Sequence, residues 1–469
     1  MTESASTSLR SNSIGVSGIV FFVLAFAAPL TVIIGIGPIV LGESGSPGAP
    51  AAFLLTTVVL LIFSVGFAAM SREHAGPGGF AVYIGKAFGE RSAQAASYIA
   101  VVGYNSFLTA GIALFSATTA NLLDSRLGID IPWWAIALVA IIAIGVLGYS
   151  EVNVSVRVLG LLLVAEVLIV LVLDVAVFVT GGAEGVNVDG FMPSSLTQGT
   201  ISVVFLMCFA AFVGFEVTTL FSEEAKDRHR TIPKATYIAV ATVGIFYTVS
   251  MWAIQLGWGS ETAEQATDNP TEFFFTLNTN LVGPWSTDAM QVLVVTSIFA
   301  AALSSHGALS RYLLSMGRTG MAPAKLGTTH PRMKSPHIAS ITQSAITLML
   351  TVIMLMSGAD LLSVFYPWII SIGSISILIL YVSASVSVLI SLRRSAVEQR
   401  LWVTTVAPIL AAVAMASILT IAILNFDVLT ASDSELVNLL WVVPFLAGAV
   451  GFAVKFRRVR GETEPVKTA

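Results

Sequence analysis

The chain has 469 residues, of which 56% are hydrophobic and 11% charged, with 23 Lys and Arg against 27 Asp and Glu and a net charge of −4. Soluble domains carry about 25% charged residues, so a soluble enzyme, a nucleic-acid binder and a disordered scaffold all fit poorly. A mean hydropathy of +0.88 marks lipid as the main solvent.

Apolar runs bounded by charged or Gly/Pro-rich breaks predict twelve transmembrane helices, at 14–41, 51–70, 94–122, 132–149, 156–180, 199–222, 234–257, 287–316, 338–357, 361–391, 402–424 and 437–456. Residues 1–13 and 457–469 are left as tails. The stretch from Arg10 to Ala27 imitates a cleavable signal peptide, but the apolar run continues to Leu41 and eleven further spans follow, so it is read as the first span. With the N-terminus inside, every basic residue of the 23 except Arg126 falls on the cytoplasmic side of the alternation. The opposite loops are acidic, with Glu184, Asp189, Glu261, Glu264, Asp268, Glu272, Asp427, Asp433 and Glu435; the longest, about 258–286, has no Lys or Arg. Both termini are expected in the cytoplasm of a multi-pass protein of the plasma (cell inner) membrane.

The first span runs 28 residues, about 42 Å as a straight helix at ~1.5 Å per residue, longer than a hydrocarbon core of ~30 Å. Its middle holds Pro29, Gly35, Gly37 and Pro38, which predict either an opened helix or a simple proline kink. The sixth span places Gly214 beside Glu216 at membrane depth, where a carboxylate must face protein or water. Spans one and six open two successive five-span sets, and breaks at matching positions of two repeats point to a transporter site. Free N–H groups at a half-helix N-terminus suit a carboxylate, and unwound carbonyls suit an ammonium group, so the pair suits a zwitterion.

Three motifs carry a resemblance. Gly76-Pro77-Gly78-Gly79 leads to Tyr83; Gly214-Phe215-Glu216 is followed by Glu223-Glu224 and Ile232-Pro233-Lys234-Ala235; His306 precedes Arg311-Tyr312, Gly317-Arg318 and Pro323. In this order they resemble the amino acid–polyamine–organocation (APC) family of transporters, including actinobacterial amino acid permeases, over spans one to ten. The resemblance implies an all-α integral membrane protein of 12 transmembrane helices with a LeuT-like 5+5 inverted repeat and discontinuous helices 1 and 6. Its repeats would be 14–180 and 199–391, with 402–456 appended. It implies alternating-access transport of an amino acid or polyamine, coupled to protons or by exchange. The substrate contacts it implies are the segment Thr31, Val32, Ile34, Gly35, Ile36 and Gly37, with Pro29-Leu30-Thr31 as the competing register, and the segment Phe209, Ala210, Phe212, Gly214, Phe215 and Glu216. Gly307 departs from the family asparagine after His306.

Span five carries Glu166 where many relatives have lysine. Removal from water disfavours a carboxylate's charged form, so Glu166 is a candidate coupling protonation site; ligation of a cation, or pairing with Arg157 or His306, are the alternatives. His306 is either a packed helix residue or a proton relay. Glu216 either orders the unwound segment or touches substrate. Phe209, Phe212 and Phe215 either gate the site or pack; Asp174 is expected at the interface and Cys208 as a small core residue. Lone Cys208 leaves no disulfide framework or multi-cysteine metal site. No metal motif, P-loop or catalytic set is present, so no metal, cofactor, ATP or nucleic-acid partner is expected. Protons are the expected coupling ion ahead of sodium, and the partners are a small-molecule substrate and the bilayer. A transporter-fold sensor that binds without transport is the rival from another class.

Overall fold

The computed structural model describes residues 14–43, 45–73, 79–150, 154–221, 224–394, 399–430, 432 and 434–454. The two tails, His74 and the side chain of Arg157 lie outside that description. Described secondary structure is helical, apart from one bridge between Ile14 and Ala225.

Eleven described segments are long and apolar enough to cross a membrane: Val16–Gly42, Ala49–Arg72, Glu90–Leu127, Gly160–Thr180, Ile201–Thr219, Arg228–Asp268, Pro284–Thr319, His337–Ser357, Leu361–Arg393, Trp402–Leu424 and Glu435–Ala453. The segment expected at 132–149 is a shorter apolar helix, Trp133–Ser150. The twelve expected spans therefore resolve into eleven of spanning length plus this shorter one, the fourth in chain order, and they are numbered so below. The last differs in form: it is built from Glu435–Asn438, a 3-10 turn at Leu440–Val442 and Val443–Ala453.

Helical structure also occupies the acidic segment expected as a loop at about 258–286. Helix Thr262–Asp268 packs on the wide turn Ile39–Glu43 that ends span one, and a Cβ on Gly42 would lie 2.9 Å from Ala266. Helix Phe273–Leu281 buries Phe273, Phe274 and Phe275. These apolar faces take cover on the bundle end because they would otherwise stand in water.

Burial ranks the spans. In the sixth, 89% of the apolar window is buried, and in the twelfth 17%; the sixth is the axis of the bundle and the twelfth belongs to its lipid-facing rim. At the end carrying the basic loops, the start of span one is tied to the segment after span six. Ile14 N–H donates to the Glu224 carbonyl at 3.0 Å, and Lys226 N–H to the Ile14 carbonyl at 2.8 Å. Arg311 of span eight pairs with Glu224 (Nε to Oε1, 3.1 Å) and lies over the Phe221 ring, 5.0 Å from its centre. Phe22 meets the same ring edge-on at 4.5 Å.

Small residues let central helices approach closely, as membrane bundles require where no hydrophobic force holds helix to helix. Gly244 of span seven faces Thr57 of span two, whose hydroxyl is fixed by donation to the Phe53 carbonyl at 2.7 Å. A Cβ on Gly244 would stand well inside van der Waals contact with that side chain. Gly244→Val is predicted to destabilise the bundle by about 1–3 kcal/mol through overpacking, read as a lower Tm in detergent; an unchanged Tm would refute this packing.

Candidate functional site

Span one breaks at a single residue. Helix Val16–Ala27 ends, Ala28 adopts φ 44°, ψ 72°, and helix Pro29–Pro38 begins. Pro29 has no N–H to continue the ladder and its ring suits the first position of a new helix. Ala28 N–H closes on the Leu24 carbonyl and Val32 N–H on the Ala28 carbonyl. Among the described residues, no backbone bond takes the N–H groups of Leu30 and Thr31 or the carbonyls of Ala25 and Phe26. The break thus follows the Pro29-Leu30-Thr31 register. Gly35 and Gly37 lie inside the second helix, where their missing side chains make room for other residues. A Cβ on Gly35 would lie 3.3 Å from the Tyr366 hydroxyl, and one on Gly37 would lie 2.7 Å from the Phe274 ring.

Span six breaks after Ala211. A turn through Phe212 and Val213 reaches Gly214 at φ 116°, and a 3-10 segment follows from Phe215 to Phe221. Only glycine is at ease at that φ, and a side chain there would collide with Phe26. The carbonyls of Ala211 and Val213 take no backbone bond among the described residues. Glu216, fully enclosed, holds the turn: its carboxylate accepts from Gly214 N–H at 3.0 Å, Tyr104 Oη at 2.6 Å and Tyr381 Oη at 3.1 Å. Spans three, six and ten thus meet at one carboxyl group, and the sequence pattern had not singled out the two tyrosines. A buried carboxylate demands donors, but nothing in spacing tells which of nine tyrosines supply them.

Between the breaks lies a cavity of about 90 Å³. Thr31, Val32 and Ile36 line it from span one, and Ala210, Ala211 and Val213 from span six. Its remaining walls come from spans three, eight and ten, with Gly111, Ser305 and Tyr366 among them. No charged side chain is among the lining residues. Of the expected contacts, Ile34, Gly35, Gly37, Phe209, Phe212, Gly214, Phe215 and Glu216 stand outside the lining. Phe212 packs edge-on to Tyr247 with centroids 5.7 Å apart, and Phe215 packs on Tyr381 at 5.7 Å and Phe63 at 6.0 Å.

Glu166 is buried, and among the described residues its carboxyl faces the Ser297 hydroxyl of span eight and not His306; the side chain of Arg157 lies outside the description. Ser297 in turn accepts from Thr31 Oγ1 at 3.0 Å. Tyr247 lies beside Glu166 and donates to the Ala27 carbonyl at 3.3 Å, at the edge of the span-one break. His306 shares a 3.0 Å hydrogen bond with Ser340 and packs on Gly148. Asp174, expected near the outer end of span five, is 2% exposed, with Oδ2 accepting from Ser250 at 2.7 Å and Oδ1 without a partner among the described residues. It lies two turns beyond Glu166, which spacing of eight residues allows on one helix face.

Eleven apolar spans around a cavity flanked by two helix breaks define a multi-pass membrane protein of the transporter class. More particularly, the chain belongs to the amino acid permease family, whose model matches residues 20–450. It is similar to a branched-chain amino acid permease of Bacillus subtilis (strain 168), 25% identical with 66% of this chain and 69% of that one covered. It is also similar to a low-affinity putrescine importer of Escherichia coli (strain K12), 22% identical over 71% and 72%. A gamma-aminobutyric acid permease of Escherichia coli (strain K12) is 23% identical over 74% and 73%.

Glu216→Ala would strand two hydroxyls and a backbone N–H at about 1–3 kcal/mol each. The expected outcome is a large fall in Tm, with Glu216→Gln falling less because one acceptor oxygen remains. Equal Tm values for wild type and Glu216→Ala, read by thermal unfolding in detergent, would contradict the bracing role.

Proposed function

We propose that the protein is a secondary active transporter, not an enzyme, that carries a neutral amino acid with an apolar side chain across the plasma membrane by alternating access, with both termini in the cytoplasm. The observation that carries this reading is an uncharged cavity bordered by free N–H groups at one break and free carbonyls at the other. The Leu30 and Thr31 N–H groups, at a helix N-terminus, suit the substrate carboxylate. The Ala211 and Val213 carbonyls suit its ammonium group. Alanines 28, 110, 210, 211, 301 and 302 leave the side chain an apolar environment. A diamine would need an acidic group for its second charge, and Glu216, the nearest candidate by sequence, is outside the wall and already accepts three hydrogen bonds.

Protons are the proposed coupling ion and Glu166 their site. Ser297 has one hydrogen and two lone pairs: while it donates to Glu166 it accepts from Thr31. A proton on Glu166 makes the carboxyl a donor, frees the Ser297 hydrogen and alters the support of Thr31 at the cavity wall. The placement of the two breaks in the first helix of each five-span set favours the inverted-repeat arrangement.

Counterflow in proteoliposomes tests the reading. Neutral apolar amino acids are expected to exchange and putrescine is not; binding without counterflow would instead favour a sensor. Glu166→Gln is expected to keep counterflow while losing accumulation driven by a pH gradient. Full proton-driven accumulation with unchanged pH dependence would remove Glu166 from the coupling role.

A further inference from the structure

Glycines inside the membrane helices of this chain nearly all have a packing reason: a Cβ on Gly103 of span three, for example, would press on Ser376 at 2.8 Å. Gly111, two turns further along the same helix, is different. A Cβ there would meet nothing within 4 Å, and Gly111 lines the cavity. It shares that helix face with Phe107, Ala110 and Leu114, which also line the cavity, at the i, i+3, i+4, i+7 spacing of one stripe. Glycine in a helix interior is less favourable than alanine by about 1 kcal/mol. The helix gains nothing from this glycine and no neighbouring helix needs it; only the cavity is larger for it.

We propose that Gly111 sets the size of the side chain that the site admits, its open Cβ position being room for the branched or aromatic end of a substrate. This rests on the transport reading above, and it names a determinant which that reading does not need. Opposite walls are already built of small residues, Ala210, Ala211, Ala301 and Ala302. Bulk added at 111 therefore subtracts directly from the space for the ligand, without moving a protein neighbour.

The test is counterflow of glycine, alanine, valine, leucine and phenylalanine by wild type, Gly111→Ala and Gly111→Val, with Gly160→Ala as a matched control. Gly160 is also a helical glycine whose Cβ would meet nothing within 4 Å, and it does not line the cavity. Gly111→Ala is expected to lower the rate of leucine and phenylalanine relative to alanine by about tenfold, the discrimination that one methylene-sized change gives in an apolar pocket. Gly111→Val is expected to extend the exclusion to valine. Gly160→Ala should leave all ratios as in wild type, and Gly111→Ala should unfold at the wild-type Tm or above it. Unchanged ratios in both Gly111 variants, or an equal slowing of all five amino acids, would overturn the proposal. A wild-type protein that moves none of the five would overturn the transport reading and the Gly111 assignment with it, whereas failure at Gly111 alone leaves transport standing.

Discussion

In hydrocarbon, a backbone N–H or C=O released from its helix has no water to turn to. Everything specific about this bundle follows from releasing such groups at two places and containing the consequence. At Ala28 the release is small, because Pro29 removes one donor outright and a single left-handed residue closes both adjoining helices. At Gly214 it is larger, and a carboxylate two residues on is brought in to hold the turn. That carboxylate would itself be intolerable in a dry core without donors; Tyr104 and Tyr381 supply them from two further spans. One broken helix therefore organises two intact ones.

The wall of the cavity is apolar apart from Thr31, Ser305 and Tyr366, and the main-chain groups at the two breaks add to its polarity. A zwitterion presents the same ammonium and carboxylate whatever its side chain, so in the proposed reading main-chain groups serve its common part and small side chains shape the variable part. Glu166 stands apart from this division. It lies outside the wall and neighbours two residues, Ser297 and Tyr247, that bond the lining residues Thr31 and Ala27.

Composition and motif order made the class of fold legible, because the demands of lipid on length and charge are strong and local. The two interrupted helices were legible too, from Pro29 and from Gly214 beside Glu216. The point of interruption was less so: glycine is ambiguous in a membrane helix, since it both loosens a backbone and admits a neighbour. Gly35 and Gly37 turn out to do the second. Partners at long range were illegible, because Thr31 and Ser297 are 266 positions apart and Glu216 and Tyr381 are 165 apart. The same distance hid the cover of Asp174, since its place near the end of an apolar run does not tell that a hydroxyl on span seven bonds it. The fourth span occupies its expected place, with helix Trp133–Ser150 against an expected 132–149.

The paired main-chain bonds between Ile14 and the segment at Glu224–Lys226 have a mechanical consequence. Span one before Ala28 and the chain after Gly214 each adjoin a helix break at the cavity, and at their far ends they are fastened together. Arg311, pairing with Glu224 and lying over Phe221, belongs to the same fastening, so both broken helices are anchored through one cluster at that end.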